Sequence, residues 1–132
     1  MLDRLTQSLS FQSDALVLRA ERQRLLASNI ANADTPGYVA RDMDFAAAMR
    51  QASGAGAAAL AATAPGHMVQ TGAGRSAAAL NYAQAAQTNL DRNSVDMDRE
   101  RANFADNAVR YEATLRFINA GVRTALSAIT GQ

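Results

Sequence analysis

Asp96, Asp98 and Glu100 recur at two-residue steps, a spacing of carboxylates that suggests a calcium loop. The stretch fails that test. Asp91, Asn93 and Val95 break the ligand pattern, and no glycine occupies the position where such a loop must turn. Asp96 suits a helix N-cap instead, with Asp98 and Glu100 in the first turn, where carboxylates favour the helix dipole. The one histidine, His67, has no carboxylate near it in sequence, and the chain has no cysteine. These residues therefore predict no metal site, no disulfide framework and no thiol chemistry. No glycine-rich phosphate loop stands at a strand–helix junction, so neither an enzyme nor a cofactor is expected. Arg19, Arg22 and Arg24 cluster around Glu21, but no aromatic platform accompanies them and the formal net charge is only +1. They read as a solvated or intersubunit face, with no nucleic-acid partner and no small-molecule substrate. What remains is the chemistry of hydrogen bonds and packing.

That chemistry concentrates between Ser28 and Tyr38. Asn29 precedes Asn32, whose short polar side chain tolerates the left-handed conformation that ends helices. Asp34 and Thr35 follow, and Thr35 is pushed out of the helical region by the proline after it. Pro36 and Gly37 fit the two central positions of a type II turn, with glycine supplying positive φ. Tyr38 then sets an amphipathic ring where it can return to the helix end.

Two long helices must position this turn. In the first, over residues 2–32, Leu2, Leu5, Leu9, Leu16, Leu26 and Ile30 advance by three- and four-residue steps, interrupted by Gln12, Arg19 and Gln23. Phe11, Ala15, Leu18 and Leu25 form an adjacent stripe, which widens the apolar face beyond a two-helix seam. In the second helix, Met97, Arg101, Phe104, Ala108, Tyr111, Leu115, Ile118, Val122, Ala125 and Ile129 alternate steps of four and three. The run spans about four heptads, enough for a coiled-coil reading with Arg101 as its misfit. Gly121 weakens that helix but admits a close neighbour, and Gly131 ends it.

Between the helices the composition changes. Residues 51–90 are about half alanine and glycine with Arg75 as the one full charge, too poor in large apolar groups to offset their chain entropy. No stretch approaches the roughly 18–20 apolar residues of a membrane span. The N-terminus lacks the basic region and apolar run of a cleaved secretory signal, which by itself argues for the cytoplasm. The expected fold is mainly α: long N- and C-terminal amphipathic helices paired as a coiled coil, with a flexible Ala/Gly-rich middle. Residues 1–50 would hold the first helix and turn, 51–92 a linker, and 93–132 the second helix, the terminal helices making one structural unit.

The run from Asn29 to Tyr38, in its Asn-x-x-Asn-x-x-Thr-x-Gly-Tyr spacing, closely resembles the signature of the bacterial flagellar rod and hook axial proteins. Leu25-Leu26-Ala27-Ser28 before it, Ala40-Arg41-Asp42-Met43-Asp44-Phe45 after it, and Asn93-Ser94-Val95-Asp96-Met97-Asp98-Arg99-Glu100 downstream resemble the proximal-rod members of that family. The likeness covers roughly residues 1–50 and 90–132. It implies a structural subunit of the basal-body rod, the periplasm-spanning shaft that transmits torque for motility, exported by the flagellar type III apparatus without a cleaved signal. The partners implied are other rod subunits, copies of itself in a helical assembly, the adaptor joining rod to membrane ring, and the export apparatus. Phe45 and Met49, one helical face apart by spacing, resemble the short motif that rod and hook subunits show to the export gate.

The two helices carry more apolar surface than so small a chain can cover. The stripe residues Leu5, Leu9, Leu16, Leu26, Ile30, Phe104, Tyr111, Leu115, Ile118, Val122 and Ile129 are therefore the expected assembly seam. The alternative is a small helical adaptor or export chaperone that uses the same stripes on one flagellar partner.

Overall fold

The computed structural model describes residues 2–54, 80–82 and 90–131. The reading of the Ala/Gly-rich middle as a flexible linker, and of His67 as a solvated histidine, falls largely outside those residues. Helix α1 runs Leu2–Ala31, and at 1.5 Å per residue its 30 residues span about 45 Å. After the turn come strand β1 (Arg41–Met43) and helix α2 (Phe45–Ala52), then strand β2 (Leu80–Tyr82) and helix α3 (Met97–Thr130). The chain is mainly helical, as its periodicity predicts.

The termini of α2 and α3 follow from their sequence. Asp44 caps α2 by accepting the Ala47 N–H at 3.0 Å, and Asp96 caps α3 by accepting the Arg99 N–H at 3.2 Å. Gly131 closes α3 with a φ of 72°, its N–H donating to the Ser127 carbonyl.

Helix α1 is gripped on two sides. Ala15 and Leu18 are buried with Met43, Ala48 and Met49, and Leu25 and Phe45 pack against that cluster. This is the second stripe of the sequence, now covered by β1 and α2; Phe11 of the same stripe stays half exposed. The other side meets α3. Contacts pair Asn29 with Glu100, Gln23 with Phe104, Arg19 with Asn107 and Leu9 with Gly121. The numbers fall in one helix as they rise in the other, so the two run antiparallel.

Three features depart from the sequence reading. Strand β2 lies inside the segment read as linker and pairs antiparallel with β1, in the register Arg41↔Tyr82, Asp42↔Asn81 and Met43↔Leu80. Strands of three residues are too short for the alternation that marks a strand in sequence. Asn32 does not adopt positive φ; among described non-glycine residues Arg92 does, at 55°. Asn32 ends α1 through its side chain instead, Nδ2 donating to the Ser28 carbonyl at 2.8 Å.

The third departure concerns α3. The heptad position read as Arg101, Ala108, Leu115, Val122 and Ile129 does not face α1: Leu115, Val122 and Ile129 are 37%, 42% and 75% exposed. The residues against α1 are Glu100, Asn107 and Thr114, all buried, with the half-buried Phe104, Tyr111 and Ile118 beside them. An apolar-only count skipped them because their side chains are polar.

Candidate functional site

The residues that join the two terminal helices meet at the C-terminal end of α1. Asn29 is fully buried there, and its amide is used on all sides. Its Nδ2 donates to the Arg41 carbonyl at 2.8 Å and to Glu100 Oε2 at 2.9 Å. Its Oδ1 accepts from the Arg41 N–H at 3.1 Å and the Tyr38 hydroxyl at 3.2 Å. The side chain thus bonds the backbone of Arg41 as a neighbouring strand would, and ties that strand to α3. Four hydrogen bonds satisfy the amide's two donors and its oxygen lone pairs, as burial demands.

The turn beside it is closed by a hydrogen bond from the Tyr38 N–H to the Thr35 carbonyl, 3.2 Å, with Pro36 and Gly37 at its centre. Gly37 has a φ of 72°, and its N–H donates to the Asp91 carbonyl at 2.8 Å. Thr35 Oγ1 donates to Asn32 Oδ1, and Asp34 stands exposed. The Tyr38 hydroxyl comes back to α1, within 3.2 Å of Ser28 Oγ as well as Asn29.

The segment entering α3 then clasps this turn. Asn93 is 3% exposed, and its Nδ2 lies 2.9, 2.6 and 2.9 Å from the carbonyls of Asn32, Ala33 and Thr35. Those carbonyls belong to the turn just past the end of α1 at Ala31, where no helix supplies them with partners. Asn93 Oδ1 accepts the Val95 N–H, which fixes the amide's orientation. Ser94 donates its N–H to the Tyr38 carbonyl, and its Oγ accepts from the Ala40 N–H. A helix stop coded near residue 32 is therefore completed by residues about sixty positions downstream.

Two arginines secure the other face of α1. Arg22 holds Asp42 of β1 with paired bonds of 3.0 Å, Nε to Oδ1 and Nη2 to Oδ2. The hydrogen bond to Asp42 raises the Arg22 pKa above its ordinary value. Arg19 lies over the Phe45 ring, 4.4 Å from its centroid, and burial followed by repulsion from Arg110 lowers its pKa. The arginine cluster is thus partly structural.

The structure sorts the remaining candidates. Leu26 is fully buried and Leu5, Leu9, Leu16 and Ile30 half-buried, on the α1 side that meets α3. Phe104, Tyr111 and Ile118 are half-buried on α3, while Leu115, Val122 and Ile129 face away with Phe117 and Leu126. Met49 is buried and Phe45 half-buried under Arg19. Sequence reasoning missed Asn107 and the pairing of Arg22 with Asp42. A signal for Asn107 existed in its seven-residue spacing from Glu100 and Thr114. Among the described residues no group of three or more His, Cys, Asp or Glu is placed to hold a metal, and no described helix is long and apolar enough to cross a membrane.

This arrangement sets the exit of one helix against the entry of another. A family model described as flagella basal body rod protein matches residues 9–38, the span from Leu9, early in α1, to Tyr38. The chain is 45% identical to the flagellar basal body rod protein FlgB of Proteus mirabilis, over 98% of each chain. It is 43% identical to that of Salmonella typhimurium over 99% of each, and 44% identical to that of Escherichia coli over 93% of each. These alignments run through the middle as well as both helices, and on their strength the chain belongs to the flagellar basal body rod protein family.

Proposed function

We propose that this chain is a structural subunit of the proximal rod, part of the shaft that transmits torque from the flagellar motor. The observation that carries the reading is the near full-length identity to rod proteins. A second support is physical. Leu115, Phe117, Val122, Leu126 and Ile129 leave an apolar surface on α3 that the described residues do not cover. In a rod such surface is covered by neighbouring subunits through head-to-tail contacts that do not close.

In this reading residues 1–50 and 93–132 form one structural unit, with 51–92 joining its halves. The turn from Asn29 to Tyr38 sets how the chain leaves the helix layer. The stripe from Leu5 to Ile30 and the residues from Phe104 to Ile129 supply its internal and intersubunit seams. The partners are copies of the chain, other rod subunits and the adaptor between rod and membrane ring, in the periplasm-spanning part of the basal body. The chain leaves the cell interior through the type III apparatus without a cleaved signal peptide. Phe45 and Met49 serve as the export motif and are read before α2 packs onto α1, because packing removes Met49 from solvent.

Deletion with complementation tests the proposal. Cells without the chain should carry basal bodies that lack a rod, and a plasmid copy should restore rods and swimming. Normal rods in the deletion strain, with the chain in a discrete soluble complex with one partner, would mean an adaptor or export chaperone.

A further inference from the structure

Seven-residue steps place Glu100, Asn107, Thr114 and Gly121 on one line of α3, and that line lies against α1. In paired helices such a line ordinarily carries leucine, isoleucine or valine. Here it carries a carboxylate, an amide, a hydroxyl and a bare backbone. The three polar side chains are nonetheless buried. Helix α1 supplies partners to two of them. Asn29 Nδ2 donates to Glu100, and Asn107 Nδ2 donates to the Arg19 carbonyl and to Gln23 Oε1. Thr114 bonds its own helix at the Arg110 carbonyl, and a Cβ on Gly121 would lie 3.3 Å from Leu9 Cδ2. Asn107 Oδ1 has no partner among the described residues, so the line costs stability that leucines would not.

We infer that this polar line selects the partner of α3: it admits the α1 of the same chain and rejects the α3 of a second copy. The apolar residues of α3 make no such distinction, because Phe104, Tyr111, Ile118 and their neighbours suit another α3 as well as α1. The polar line does. Against a parallel second copy Glu100 meets Glu100. Against an antiparallel copy with Asn107 opposite Thr114, Glu100 meets Gly121, which has no side chain to bond it. Either way a carboxylate is buried without the Asn29 amide, and a buried unpaired charge opposes association. The inference stands apart from the rod reading, since it concerns how one chain chooses between two helices.

The chain has no cysteine, so an introduced one is a clean reporter. With Thr114→Cys alone, a bis-maleimide linker should leave the purified chain monomeric, because position 114 is turned onto α1. In Glu100→Leu/Asn107→Leu/Thr114→Cys, linked dimers should become the main species as concentration rises. Sedimentation without linker should shift the same way, and circular dichroism should retain the helical signal. Glu100→Leu/Thr114→Cys keeps the Asn107 bonds to α1 and guards against misfolding of the triple variant; with the carboxylate gone it should cross-link several-fold more than Thr114→Cys. If neither variant dimerises more than Thr114→Cys, the polar line does not select the partner and the inference fails.

Discussion

Asn29 in the last turn of α1 and Glu100 in the first turn of α3 are 71 positions apart, yet both are removed from solvent and joined by a hydrogen bond of 2.9 Å. The amide donates and the carboxylate accepts, so the bond has a direction that substitutions can reverse. Asn29→Asp would set one carboxylate against another and against the Arg41 carbonyl that Nδ2 now bonds. We expect a loss on the order of 3–5 kcal/mol, as when a buried polar pair loses one partner. Urea unfolding followed by circular dichroism measures it. Adding Glu100→Gln should recover part of the loss by restoring a donor; no recovery would mean that Asn29 acts through Arg41 alone.

The exposed and covered sides of α3 predict opposite phenotypes for two neighbouring residues. Ile118 is half-buried beside the polar line, so Ile118→Asp should weaken the pairing with α1 by about 2 kcal/mol. Leu115 points more outward, so Leu115→Asp should leave the unfolding midpoint of the isolated chain nearly unchanged and still abolish rod assembly. A motile Leu115→Asp strain would remove that face from the assembly surface.

Gly37 separates backbone strain from steric conflict. A Cβ there would meet nothing among the described residues within 4 Å, so the penalty for a substitution comes from its positive φ. Gly37→Val should cost about 1–2 kcal/mol, and Gly37→Asn less, because asparagine tolerates this region. In cells, Gly37→Val should be exported without assembling, while Gly37→Asn should keep partial motility. Equal swimming by the two variants would reduce the turn to a linker.

Arg92 holds a φ of 55° immediately before the Asn93 clasp, a conformation that costs most side chains on the order of 1 kcal/mol. Arg92→Gly should therefore raise the urea midpoint, by less than the full penalty because glycine also loosens the unfolded chain. A lowered midpoint would show that the arginine side chain contributes more than its backbone costs.

The long elements were legible because many residues repeat one signal. Leu5 to Ile30 carry the period of α1, and Asp96 and Gly131 bracket α3. The Pro36-Gly37 turn was legible from backbone chemistry alone. What escaped was whatever depends on a distant partner. Asn93 holds the turn that follows α1 some sixty residues earlier, and nothing local to Asn93 says so. Asn107 stands outside the apolar stripe of α3, and its partners, the Arg19 carbonyl and Gln23, lie on another helix. Leu115 and Val122 were placed on the seam for the complementary reason: hydrophobicity marks what wants to be covered, and leaves open whether the same chain or a neighbour covers it.

If this chain builds the rod through its two clasped terminal helices, a density map of purified basal bodies from cells carrying it will show that arrangement. The chain should lie in the proximal rod, with α1 and α3 antiparallel, the Asn29–Glu100 contact intact, and Leu115, Val122 and Ile129 against adjacent subunits. A rod built without this chain, or one in which α3 has left its own α1 to pair elsewhere, would contradict it.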